Sequence, residues 1–143
     1  MKKSFLTFFS LLVFAVMLTA QNSPVGIWKT VDDETGDAKS HVEIYESNGK
    51  YYGKVVKLLK AATTTVCNEC PGNKKGKPIE GMVIIDNLEP YKYYWANGEI
   101  LDPKTGKVYG CSAWYENEDY NTLYVRGKHW TGLFRTQTWY RVK

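Results

Sequence analysis

Gly132-Leu133-Phe134-Arg135-Thr136-Gln137-Thr138-Trp139-Tyr140-Arg141-Val142 is the stretch that decides the fold. From Thr136 to Val142 every residue except Gln137 and Arg141 is β-branched or aromatic, the composition of a long strand. Period-two alternation sets Arg135, Gln137, Trp139 and Arg141 on one face and Phe134, Thr136, Thr138, Tyr140 and Val142 on the other. One face is therefore cationic and aromatic. Far upstream stands Gly26-Ile27-Trp28 at the start of another strand-like run. If the first and last strands pair, the sheet closes on itself, and a guanidinium from the last strand can cover the Trp28 ring.

Between these ends, strand and turn chemistry alternate at intervals of roughly ten residues. Strands are predicted over 25–31, 40–46, 50–59, 82–86, 91–95, 99–101, 107–115 and 122–126, ahead of the closing one. Turns are read at Asp32 to Asp37, at Ser47-Asn48-Gly49, from Asn87 to Pro90, at Ala96-Asn97-Gly98 and at Asp102-Pro103-Lys104-Thr105-Gly106. The mature chain offers no convincing amphipathic helix. The fold class is accordingly all-β: a single antiparallel up-and-down barrel of about eight to nine strands. Residues 61–81 form one long irregular stretch, a length that compact domains keep for functional or tied-down loops.

The first residues belong to a different kind of segment. Met1-Lys2-Lys3 is followed by an apolar run from Phe5 to Leu18, broken only by Thr7 and Ser10, and then by Thr19-Ala20. Basic start, apolar middle and small-residue end are the layout of a secretory signal peptide over 1–20, leaving one domain at 21–143. The apolar run falls short of the ~20 residues a spanning helix needs, and no later run approaches it, so the mature chain has no transmembrane segment. The expected location is periplasmic or secreted. Without Lys2 and Lys3 the 19 basic residues become 17 against 15 acidic ones. That weak, scattered positive charge is no nucleic-acid footprint.

Export places Cys67, Cys70 and Cys111 in an oxidising compartment. Cys67 and Cys70 are spaced for a small disulfide, for half a metal site or for a redox dithiol. A redox pair belongs at a helix start, whereas Pro71-Gly72 follows here. A zinc site needs further ligands, and the two histidines, His41 and His129, lie far apart. The favoured reading is a disulfide that ties the long loop, with Cys111 as a small buried apolar residue of a strand. The acidic cluster Asp32, Asp33, Glu34 and Asp37 lacks calcium-loop spacing and reads as a solvated turn. His41 and Glu43 share a strand face but have no nucleophile motif beside them. No catalytic residue, metal site or cofactor is implied.

The aromatic content is the strongest pointer to function. Five Trp and eleven Tyr exceed what is needed to fill so small a barrel. One reading of them is core packing, since small barrels are filled by such side chains; aromatic walls with a few fixed polar groups also form the mouths in which barrels hold small ligands. The candidate ligand-binding set is Trp114 and Trp139 as walls with Arg135 and Gln137 as polar anchors; Gly26, Trp28 and Arg141 form the barrel closure.

Gly26-Ile-Trp28, Cys67-x-x-Cys70, Gly98-Glu-Ile-Leu-Asp-Pro103, Arg126-Gly127 and the Arg-Thr-Gln-Thr-Trp run ending at Trp139 carry a resemblance. On these residues the mature chain resembles a family of exported bacterial proteins catalogued as domain of unknown function 2147. More distantly, Gly-x-Trp in the first strand with arginine in the last is similar to the calycin superfamily of lipocalins and fatty-acid-binding proteins. That likeness implies a lipocalin-like barrel with Trp28 packed under Arg135 or Arg141 at its closed end. The expected function is binding of a small amphipathic or lipophilic ligand rather than catalysis. Two other readings stand beside it: thiol-disulfide chemistry at Cys67 and Cys70, and a cell-envelope interaction module presenting tyrosines.

Overall fold

The computed structural model describes residues 22–143; the segment read as a signal peptide, 1–20, lies outside them. Alternating apolar residues produce ten strands in chain order: β1 (Gly26–Val31), β2 (Ala38–Ser47), β3 (Lys50–Leu58), β4 (Val66–Cys67), β5 (Lys77–Pro78), β6 (Val83–Tyr91), β7 (Tyr94–Leu101), β8 (Val108–Trp114), β9 (Thr122–Lys128) and β10 (Phe134–Arg141). Eight of them close into a barrel in the order β1-β10-β9-β8-β7-β6-β3-β2, with every pairing antiparallel. The two-residue strands β4 and β5 pair with each other inside the long loop.

Closure runs through β1 and β10. Trp28 pairs with Arg141 and Lys29 with Tyr140, and Ile27 exchanges backbone hydrogen bonds with Val142 and Lys143. No further β1–β10 pair is formed beyond Lys29, so this seam is laced at one end of the barrel and parted at the other. Gly26 is required at the laced end. Its φ is 148°, and a Cβ there would lie 2.6 Å from both Arg141 Nη1 and the Lys143 oxygen.

Two turns expected from the sequence are bulges within strands. Asp86 pairs with Glu99 and Glu89 with Ala96; between these pairs Asn87 and Asn97 take φ of 53° and 58°. Asparagine tolerates that left-handed conformation in a reversal and in a bulge alike, so its presence alone does not decide between them. Here β6 and β7 keep register with each other while β6 is bulged against β3 and β7 against β8, so the two strands bend together, and the chain reverses later, at Lys92-Tyr93. Gly98 allows the bend, because a Cβ would lie 3.0 Å from the Leu88 Cα.

The interior is filled unevenly. Toward the laced end, Trp28, Ile44, Leu88, Trp95, Ala113 and Leu123 are buried together, with Tyr51 and Tyr115 packed against them. Each large apolar side chain removed from water contributes roughly 1.5–3 kcal/mol, so this half anchors the fold. At the other end gather the loops 32–37, 59–82, 102–107 and 129–133. Antiparallel order sends alternate connections to opposite ends, which is why the long disulfide loop and the Asp102–Gly106 turn meet there.

Cys67 and Cys70 are joined in a disulfide, and both are buried. Around them the loop is held by backbone bonds from Gly76 N–H to the Cys67 carbonyl, 2.8 Å, and from Ile79 N–H to the Thr65 carbonyl, 2.9 Å. Lys74 Nζ reaches the Val83 carbonyl at 2.8 Å, tying the loop to β6. The β7–β8 turn lies against the same loop so closely that a Cβ at Gly106, where φ is 72°, would overlap the Glu69 carbonyl.

Candidate functional site

The half of the barrel left unfilled is a cavity of about 520 Å³ that opens among the four loops. At about 30 Å³ for each water-sized group, it has room for a ligand of roughly 17 non-hydrogen atoms. The volume lies in the usual range for small-molecule sites. It exists because inward positions at this end carry small side chains: Thr30 on β1, Ser40 on β2, Val55 on β3, Val125 and Gly127 on β9. Trp139 is buried at the boundary between the filled and unfilled halves.

One wall is polar and the other apolar. On the polar side Thr30 Oγ1 and Ser40 Oγ share a hydrogen bond of 2.7 Å, both hydroxyls being buried. Trp139 Nε1 donates to Gln137 Oε1 at 3.1 Å. Indole nitrogen only donates, so this bond fixes the amide with its oxygen toward the tryptophan. The Gln137 NH₂ group has no hydrogen-bond partner among the described residues and is available to a ligand acceptor. Opposite stand Val55, Ile84, Ile100 and Leu101, all aliphatic. The disulfide loop covers part of the opening with Ala62, Thr63, Thr64 and Ile79.

The rim is charged. Arg135 Nη2 pairs with Asp33 Oδ2 at 2.5 Å, spanning the parted part of the β1–β10 seam. Lys39 Nζ lies 4.0 Å from Asp32 Oδ2. Backbone N–H groups of Thr35 and Glu34 donate to the Asp32 carboxylate and hold its pKa below the ordinary value. Lys104 adds a further cation to the rim, and the His129 imidazole lies beside it.

Of the residues expected at the site, Arg135, Gln137 and Trp139 line this cavity together. Trp114 does not join them. Ala113 and Cys111 of β8 are buried inside, so Trp114 is turned to the outer surface. There it stacks on Tyr124 at 5.8 Å, lies under the Arg126 guanidinium at 4.8 Å and donates to Glu116 Oε1. Strand register extends the outer row: Tyr91 opposes Tyr94, Tyr94 opposes Trp114 and Trp114 opposes Tyr124. Thr30 and Ser40 were absent from the expected set. Counting by twos from Trp28 along β1 would have found Thr30, an inward hydroxyl in an otherwise apolar row.

The laced end forms a second, structural cluster. The Arg141 guanidinium lies 4.3 Å from the centre of the Trp28 ring, while Arg135 is far up the strand at the rim. Arg141 donates through Nε to the Tyr120 carbonyl, through Nη1 to the Val25 carbonyl, and through Nη2 to Tyr115 Oη and the Ser23 carbonyl, at 2.9, 3.0, 2.9 and 3.4 Å. Trp28 Nε1 donates to the Pro24 carbonyl at 2.8 Å. Burial pushes the Tyr115 phenol up to about 12, against the opposing pull of Arg141. Burial likewise raises the Cys111 thiol to about 12. His41 and Glu43 point outward from β2, away from the cavity.

A closed eight-strand antiparallel barrel with an arginine over the first-strand tryptophan and a cavity at the opposite end is a lipocalin-like barrel. A solved structure described as "Protein HP1028 from the human pathogen Helicobacter pylori belongs to the lipocalin family" is similar to it, with a TM-score of 0.70 and 22% identity over 85% of this chain and 84% of that one. The chain belongs to the bacterial family DUF2147, described as "Uncharacterized protein conserved in bacteria", whose family model matches residues 26–141. No curated protein matches it. Among the described residues no helix is long and apolar enough to cross a membrane.

Proposed function

We propose that this protein is exported, as its first 20 residues are read, and binds a small amphipathic molecule in the cavity. The observation that carries the reading is the division of the cavity into an aliphatic wall and a polar wall with an unengaged donor on Gln137. An apolar body against Val55, Ile84 and Leu101, with an acceptor facing Gln137 and the Thr30–Ser40 pair, matches both walls. Arg135 and Trp139 are assigned roles at the rim and the floor. The Cys67–Cys70 bond supports an oxidising compartment and acts in this reading as a tie for the covering loop. Burial of both sulfurs withholds them from an attacking thiolate, which weighs against thiol-disulfide exchange.

The test is displacement of a fluorescent anilinonaphthalene sulfonate probe by dodecanoate and by neutral dodecanol. Gly127→Leu projects an aliphatic side chain into the cavity, where a Cβ meets only ordinary contacts at 3.4 to 3.6 Å. Saturable uptake by the native protein, at least about tenfold weaker in Gly127→Leu and in Gln137→Leu, is the expected result. Uptake that neither substitution changes places the probe outside the cavity and defeats the reading.

A further inference from the structure

The β9–β10 turn and the first residue of β10 present large apolar side chains to solvent, with Phe134 covered on one face by the Arg126 guanidinium at 4.2 Å. Trp130, Leu133 and Phe134 are 89%, 75% and 60% exposed, and Leu133 and Phe134 belong to the cavity rim. The turn is nevertheless ordered by its own bonds. His129 N–H donates to the Leu133 carbonyl at 2.7 Å, Gly132 N–H to the His129 carbonyl at 2.9 Å, and the Thr131 hydroxyl is 2.8 Å from His129 Nδ1. With the backbone donors of His129, Thr131 and Gly132 engaged, fewer polar groups are stranded when the tip enters the boundary between lipid headgroups and acyl chains. Tryptophan favours that layer.

Charge identifies the surface that fits. Lys104 and Lys107 on the neighbouring β7–β8 turn and Lys128 at the end of β9 are exposed and form no ion pair among the described residues. On the other flank, Asp32 and Asp33 are engaged by Lys39 and Arg135, whereas Glu34 and Asp37 of the same turn are exposed and form no ion pair among the described residues. The edge that suits an anionic surface is the β7–β8 and β9–β10 side of the mouth. The apolar tip therefore stands beside unpaired cations. Its three side chains present on the order of 450 Å², short of the ~800 Å² that each partner contributes to a stable protein interface.

We propose that the β9–β10 turn docks the cavity mouth onto an anionic phospholipid bilayer, with Trp130 and Leu133 in the interfacial layer and Lys104, Lys107 and Lys128 against lipid phosphates. Docking stands whether or not the cavity holds a ligand. If it does, the ligand enters and leaves at the lipid surface.

The test uses residues 21–143, which contain every strand of the closed barrel, and vesicles of phosphatidylcholine alone or mixed with phosphatidylglycerol. The protein is expected to sediment with the mixed vesicles, less so as salt rises. Trp130→Ser with Leu133→Ser should weaken binding at least about tenfold, and each lysine replaced by glutamine about fivefold. Acyl chains brominated near the headgroup should quench the native protein's fluorescence, and Trp130→Phe should lose that quenching. The quenching test needs no destabilising variant, since Trp130 is exposed. Absence of vesicle binding, equal binding by the double variant, or a dimer in solution that the double variant dissolves would each overturn the proposal, the last by showing a second copy on the tip.

Discussion

Arg141 shows how one side chain closes the barrel. Among the described residues no carboxylate pairs with it; neutral oxygens from four positions and the face of Trp28 hold its charge. Those oxygens come from the lead-in before β1 and the segment between β8 and β9, so the guanidinium ties both to the last strand. Arg141→Ala strands these acceptors and uncovers the indole, and should cost about 3 kcal/mol, read as a lower urea midpoint. Arg141→Lys should recover only part of it, because an ammonium lacks the planar fork that reaches all of them. Cys111 gives a pH signature. Unfolded, its thiol ionises near 9.0; folded, burial keeps it protonated to about 12. The native state thus binds more protons across that window, and stability falls as pH rises through it. Urea midpoints on both sides of pH 9.0 should fall less steeply in Cys111→Ala than in the native chain. The sequence made the Trp28 closure legible, since Gly-x-Trp and a terminal arginine are few and local. Trp114 was misplaced although the contradiction was present: it lies three residues from Cys111, and an odd spacing in a strand separates faces.

At the scale of elements, the disulfide loop and the β7–β8 turn behave as one unit. Gly106 lies against the Glu69 carbonyl, so Gly106→Ala should push the loop off the turn. Dithiothreitol should then reduce Cys67–Cys70 faster than in the native protein, measured by thiol alkylation and mass. The outer aromatic row is a sheet brace, with Trp114 bridging β7 to β9 through Tyr94 and Tyr124. Trp114→Ala should cost about 1 kcal/mol in unfolding free energy and leave probe uptake unchanged. Unequal effects of this kind separate the outer face from the cavity. The tied loop could be read from Cys-x-x-Cys and its length. The run of β6 through Asn87 could not, because the left-handed asparagine that makes a bulge has the same local chemistry as one that makes a turn.

Across the whole molecule, the sequence specifies a barrel more firmly than it specifies how the barrel is filled. Alternation and turn spacing fix the strands, and the closing pair fixes their circuit. Whether the interior is solid depends on which inward positions carry large side chains, and that emerges only when register brings Thr30, Ser40, Val55 and Gly127 to one end. Trp28, Trp95 and Tyr115 fill the other end. The result is a stable closed half supporting an open one, so a ligand can occupy the open half without repacking the core. The most direct measurement is native mass spectrometry of the protein purified from a bacterial host, before and after denaturation. A small amphipathic molecule released on unfolding, and retained poorly by Gly127→Leu, is the expected result. A bare mass in both states, together with failure to take up either dodecanoate or dodecanol, would contradict ligand binding in the cavity.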